Sequence, residues 1–428
     1  MAAWIKVVLL VFGGYTAAVV LGAPTVDTYP MATGFGPAPV MASAIAASAT
    51  GAVVAVLVAA GIRQRTRVAA AVLAGALLVV VVALPGAWRF DMYISVIGAG
   101  SLLGGLAVMC IDPRRARLQA VLAAAVVAGL LTAAPIAEFR DFASTPRRYA
   151  DYLEVSFQPV PVNAVWLIPG VVTLVAGASM WVIGRGDAAL FGERRGSRRE
   201  LLVGIGIPVV GTGLHWSFER AVMSSSAEAP EAGRWLLGVV AVVVVIAAAL
   251  WLCEHTGTVL LAAMALAVVG REAVSWSPTV WPLLLVPVVL AGVGAWLGHR
   301  FPRALVGIGV LALVAASGVA DGLPWDDMRI AANLFVVPLA AAYTIAASLP
   351  STPPVVATSM TLPAALALPL VAQYGWTAYT PLTSEPVEWL SNSWTWMSSA
   401  VSVAAVVALG GAMAWIQYRR PTDVRRRT

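Results

Sequence analysis

Apolar stretches of spanning length recur fourteen times along this 428-residue chain, separated by short polar connections whose charge alternates in sign. They fall at 4–22, 36–61, 68–87, 93–111, 119–137, 164–184, 201–217, 234–253, 257–270, 281–298, 304–320, 330–348, 355–373 and 397–417. A membrane-spanning helix needs roughly 20 mostly apolar residues, and inside hydrocarbon its backbone polar groups must bond within their own segment. The runs are continuous rather than alternating, which argues against barrel strands. The expected fold is all-α: a polytopic membrane helix bundle of about 14 transmembrane helices. Composition agrees, with 60% apolar and only 11% charged residues, where a soluble domain carries about 25% charged. The shortest stretch, 257–270, is expected to run on past Arg271 and Glu272 toward Trp276.

Charge decides the expected orientation. If odd-numbered spans run outward, one side holds 19 of the 27 basic residues and only 6 of the 21 acidic ones. That is the positive-inside pattern. Both termini are then cytoplasmic, which an even number of spans requires. The first span carries Lys6 and no small-residue cleavage site, so it reads as a retained helix rather than a cleaved signal. The net charge of +6 is spread over short connections and an Arg-rich tail, 418–428. Such residues set topology and meet anionic lipid; they do not form a nucleic-acid surface. A single Lys among many Ala, Val and Arg residues points to a high-GC bacterium, hence to a bacterial cytoplasmic membrane.

No connection is long enough for a soluble domain. The chain reads as one transmembrane domain over 1–428, with halves 1–184 and 201–417 joined by the cytoplasmic segment 185–200. No internal sequence repeat is evident. Gly100 and Gly104 form a GxxxG, and Ser43, Ala47 and Gly51 recur at four-residue spacing, as on closely packed membrane helices. Pro287, Pro338, Pro363 and Pro369 interrupt spans. A proline leaves a carbonyl to be satisfied elsewhere, and broken helices line transporter sites. The outer connection 138–163 contains a candidate interfacial helix starting near Pro146, with Tyr149, Tyr152, Leu153 and Phe157 on its apolar face.

Span centres hold almost no ionisable groups, so no buried chain of carboxylates and histidines is available as a proton relay. Acidic residues gather instead at the outer helix ends, beside 11 of the 16 Trp. The candidate substrate-binding residues are accordingly Asp91, His215, Glu219, Trp325, Asp326, Asp327, Trp389 and Trp394. His215 and Glu219 stand four apart and share a helix face; Asp326 and Asp327 are the one adjacent acidic pair. Within the longest cytoplasmic connection, Asp187, Phe191, Glu193, Arg194 and Arg195 are candidate partner-coupling residues. Cys110 and Cys253 have no metal-ligand spacing. No phosphate loop, nucleophile elbow or HExxH occurs. No metal, cofactor or catalytic residue is therefore expected.

Three function classes remain. The leading one is a transport protein, a permease for an amphiphilic or envelope-related substrate, alone or as the membrane subunit of a complex driven by a separate ATPase. The second is an outer-face enzyme acting on lipid-linked sugars, disfavoured by a first outer loop carrying Asp27 alone. The third is a non-catalytic subunit or scaffold of an envelope assembly. The partners expected are membrane lipids and, in the complex versions, an ATPase or other envelope subunits.

Overall fold

A computed structural model describes residues 2–22, 44–62, 64–84, 91–110, 116–144, 164–184, 198–224, 232–252, 256–274, 280–318, 326–349 and 393–419. Among these residues all regular structure is helical. In chain order the helices are α1 (Ala2–Gly22), α2 (Ala44–Gly61), α3 (Arg65–Ala83), α4 (Asp91–Met109), α5 (Ala116–Ser144), α6 (Ala164–Gly184), α7 (Arg198–Ser224) and α8 (Ala232–Trp251). Then come α9 (Thr256–Val274), α10 (Leu285–Arg300, entered through a 3-10 turn, Trp281–Leu284) and α11 (Ala304–Ser317). A broken rod follows, consisting of α12 (Asp326–Ala331), a π-helical turn (Ala332–Val336) and α13 (Val337–Ser348), and the last helix is α14 (Ser393–Arg419). Each coincides with one of the expected spans; the stretch 355–373 lies outside the described residues, as does the candidate interfacial helix beyond Ser144. Seven helices are long and apolar enough by themselves to cross a membrane, and five more are shorter apolar helices. The protein is a multi-pass membrane helix bundle.

α9 does run past Arg271 and Glu272, ending at Val274. The connection expected from residue 138 begins later, because α5 continues to Ser144. Polar residues at the water boundary do not stop a helix, and the next breaker is Pro146.

Neighbouring contacts show how the helices run. Gly75 of α3 lies against Gly98 and Leu102 of α4, while Gly105 of α4 lies against Val68 and Val72 of α3, so these two are antiparallel. Gly51 of α2 faces Val96 and Gly100, and Gly104 faces Ala55 and Val58, so α2 and α4 are parallel. With this up-and-down course, Lys6, Arg67, Arg117, Arg198, Arg199, Arg300, Arg303 and Arg419 all belong to one end of the bundle, called here the basic end.

The packing repeats. In the first group of helices, α4 packs on α1, α2 and α3, and α6 packs on α1 and α3. In the second, α13 packs on α9, α10 and α11, and α14 packs on α9 and α11. Replacing α1, α2, α3, α4 and α6 by α9, α10, α11, α13 and α14 maps every one of these pairs onto its counterpart. The close parallel pair of each group is joined through glycine spaced by four. Gly100 and Gly104 of α4 meet α2 in the first, and Gly294 and Gly298 of α10 meet Leu339 and Tyr343 of α13 in the second. Absence of Cβ lets the backbones touch, which is how helices gain dispersion contact when lipid offers no hydrophobic drive. α7 and α8 stand outside the correspondence: α7 packs on α2 and α8, and α8 on α9 and α14.

α5 bridges the groups, packing on α1 in the first and on α10, α13 and α9 in the second. α9 is buried along 256–270. A helix apolar all round is expected to be enclosed, and protein on every side explains why so short a run suffices. At the basic end Thr258 donates to the Ser348 carbonyl at 3.1 Å, taking up a last-turn acceptor of α13. Ser348 donates in turn to Thr344 at 2.7 Å.

Candidate functional site

The broken rod α12–α13 is the most distinctive local structure among the described residues. Pro338 has no N–H, so the Leu334 carbonyl loses its donor one turn back. The chain answers with an i→i−5 register: the Val337 N–H bonds to the Ala332 carbonyl. Such π turns concentrate at functional positions because they re-aim side chains and loosen the hydrogen-bond ladder. This one carries Asn333, 7% exposed, and it touches α9, α10 and α11. Asn333 is one of three asparagines in the chain and the one inside an apolar stretch. A carboxamide both donates and accepts without charge, which suits it to an uncharged polar solute group at low dielectric cost.

A second polar point lies on the bridging helix. Tyr15 Oη of α1 and Thr132 Oγ1 of α5 are 3.1 Å apart. Thr132 also lies 2.8 Å from the Ala128 carbonyl. One hydroxyl proton serves one acceptor, so Thr132 donates to Ala128 and accepts from Tyr15. Tyr15 is seven residues before the end of α1, and Asn333 seven residues after the start of α12. At 1.5 Å per residue both sit about 10 Å below the end of the bundle opposite the basic one. The Tyr15–Thr132 pair and Asn333 thus lie at a similar depth, the first between α1 and α5 and the second among α9, α10 and α11.

The sequence-derived candidates occupy the rim at that same end. Asp91 opens α4, His215 and Glu219 lie in the C-terminal half of α7, Asp326 and Asp327 open α12, and Trp394 is in the first turn of α14. Their helices belong to different packing neighbourhoods. α4 sits among α1, α2 and α3; α7 beside α2 and α8; α12–α13 among α9, α10, α11 and α5. The candidates therefore share a level, spread over several neighbourhoods. Trp325, Trp389 and the coupling candidates Asp187, Phe191, Glu193, Arg194 and Arg195 lie outside the described residues. No group of three His, Cys, Asp or Glu that could hold a metal occurs among the described residues.

Sequence reasoning alone does not single out Asn333, Tyr15 or Thr132. For Asn333 a signal is present, an amide within an apolar run five residues before Pro338. For Tyr15 and Thr132 there is none: hydroxyls are common in spans, and their pairing across 117 residues is a property of packing.

No family model matches the sequence, and no curated protein matches it. Solved structures do resemble it. A bacterial homologue of the human drug peptide transporters PepT1 and PepT2 aligns over 100% of this chain and 99% of its own, with a TM-score of 0.50 and 12% identity. A peptide transporter POT in complex with sulfate aligns over 98% and 94%, with a TM-score of 0.49 and 15% identity. The xylose transporter XylE from E. coli, inward open, aligns over 95% and 94%, with a TM-score of 0.47 and 13% identity. The chain is a helical membrane bundle with the fold of the first of these structures.

Proposed function

We propose that the chain is a permease of the bacterial cytoplasmic membrane, moving an amphiphilic or envelope-related solute between two groups of helices that rock about α5. One observation carries this reading: the alignment with a peptide transporter homologue covers 100% of this chain and 99% of that one. The repeated packing pattern supports two mobile halves, α1–α6 and α9–α14, each able to move as a unit about the seam. In this reading the basic end faces the cytoplasm with both termini, and the helix ends that carry Asp91, His215, Glu219, Asp326, Asp327 and Trp394 border the outer vestibule. The solute is read as amphiphilic because the polar side chains at the depth of Tyr15, Thr132 and Asn333 are uncharged and the surrounding helices apolar. A fixed charge there would cost at least ~2.5–3.5 kcal/mol.

Spin labels test the movement. One pair, at Ile62 and Phe301, reports the basic end; another, at Leu84 and Gly318, reports the opposite end. Alternating access gives two distance populations at each end that shift in opposite directions when amphiphiles are added. A single unchanging distance at both ends, with no flux of fluorescent amphiphiles in proteoliposomes, overturns the reading. Purification decides the energy source: a stoichiometric ATPase bound through 187–195 makes this chain the membrane subunit of an ATP-driven complex.

A further inference from the structure

The α10–α11 turn and the end of α14 form a feature that solute movement does not use. Two contacts fix the antiparallel register of α11 and α14: Gly318 lies against Ser399, and Ile308 against Gly410. Continued toward the basic end, this register puts Arg303 level with Trp415, on helices packed about 8–10 Å apart. Arg419 stacks over the Trp415 ring at 4.4 Å, which holds the guanidinium in place while leaving its edge free to donate. The turn is rigid: Tyr343 lies within hydrogen-bond distance of two of its carbonyls, donating to Phe301 at 2.8 Å with Arg303 at 3.3 Å. The Phe301 N–H also donates back to Leu297 at 2.7 Å.

Charge and exposure complete the case. Arg300, Arg303 and Arg419 are all exposed, as are Phe301 and Tyr418. Residues 280–318 and 393–419 contain no carboxylate to neutralise them. Toward the middle of the membrane the same two helices expose Leu313 and Val407. Free phosphate would use the arginines alone; a ligand using both levels needs an anionic head and long apolar chains.

We propose that this face binds an anionic phospholipid of the leaflet at the basic end. Its phosphate sits between Arg300 and Arg303 of the turn and Arg419 of α14, with its acyl chains along α11 and α14. The arginines donate to phosphate oxygens in forked pairs, and Trp415 and Tyr418 lie at headgroup level, where such rings concentrate.

The test is retention of phosphatidylglycerol, against phosphatidylcholine, by the full chain in native mass spectrometry. The triple variant R300Q/R303Q/R419Q is set against a charge-matched control at the same end, R67Q/R117Q/R198Q. Because only the first triple loses forked phosphate contacts, it should lose roughly a hundredfold in phosphatidylglycerol affinity, whereas the control loses only the general surface attraction and should fall at least tenfold less. W415L keeps every charge and guards against a triple variant that fails to fold; it should weaken binding several-fold. Millimolar inorganic phosphate should not compete. Equal losses in both triples, equal retention of phosphatidylcholine, or displacement by inorganic phosphate each overturn the proposal.

Discussion

Two glycines two residues apart on α10 should respond to the same substitution with opposite sign. A Cβ at Gly294 would lie 3.0 Å from the carbonyl carbon of Leu339 and 3.1 Å from its Cα, with the carbonyl oxygen closer still. Ordinary contact begins at 3.4 Å. The obstacle is backbone, so no rotamer change relieves it, and α10 and α13 must part by about an ångström to clear the carbonyl oxygen. Overpacking of this kind costs about 1–3 kcal/mol. A Cβ at Gly292 would meet nothing within 4 Å, and a helical Gly→Ala change in open space gains about 0.5–1 kcal/mol through reduced backbone freedom in the unfolded chain. Gly294→Ala should therefore destabilise and Gly292→Ala stabilise, a spread of about 1.5–4 kcal/mol. Reversible unfolding in mixed micelles, followed by Trp fluorescence, measures it. The adjoining substitution Leu339→Ala should not rescue Gly294→Ala, because the clash is with atoms that alanine keeps. By contrast, Leu73→Ala should rescue Gly177→Ala, where a Cβ would meet the Leu73 side chain at 3.0 Å. Equal effects at 292 and 294, or rescue by Leu339→Ala, would show that the α10–α13 contact is not made by backbone and would refute the reasoning.

Three further outcomes follow from the same geometry. Pro338→Ala restores an N–H to the Leu334 carbonyl, so the π turn should relax toward an unbroken helix. Stability should rise by a few tenths of a kcal/mol or more while the proposed two-state distance change between halves is lost, which spin-label measurements on the variant would show. Thr132→Val leaves the buried Tyr15 hydroxyl without its acceptor and should cost about 1–3 kcal/mol, whereas Tyr15→Phe leaves Thr132 bonded to Ala128 and should cost about 1 kcal/mol; reversal of that order in unfolding titrations would contradict the assigned proton direction. Gln119, 2% exposed, donates from Nε2 to the Cys110 carbonyl at 3.1 Å, while its Oε1 has no partner among the described residues. Gln119→Glu replaces that donor by a buried carboxylate and should cost about 3 kcal/mol or more at neutral pH, with partial recovery at pH ~4 as the carboxyl protonates; a pH-independent loss would point to shape instead of charge.

The packing repeat marks the limit of what spacing reveals. α4 and α13 correspond, and so do α2 and α10, yet the four-spaced glycine pair lies on α4 in one group, with Gly51 of α2 against it, and on α10 in the other. Close approach needs only that one of the two backbones be bare, so either helix can supply it, and the correspondence leaves no shared motif to find. Gly100 and Gly104 stand out as a GxxxG, but Gly294 and Gly298 have the same spacing and gain their meaning only from the helix they touch. Pro338 signals a broken span, whereas the π register follows from how the turn settles against α9, α10 and α11.

What the chain determines by itself is local in origin. A run of some twenty apolar residues must close its own hydrogen bonds in lipid, so helix positions, the membrane setting and the gathering of arginines at one end are legible in the residues alone. Partner choice is different in kind. Between helices in hydrocarbon the attraction is short-range packing, decided by backbone contacts of a few tenths of an ångström and by hydroxyl pairs such as Tyr15 and Thr132. These depend on residues over a hundred positions apart, so the two groups of helices, the bridging role of α5 and the polar level holding Asn333 came only from the tertiary structure.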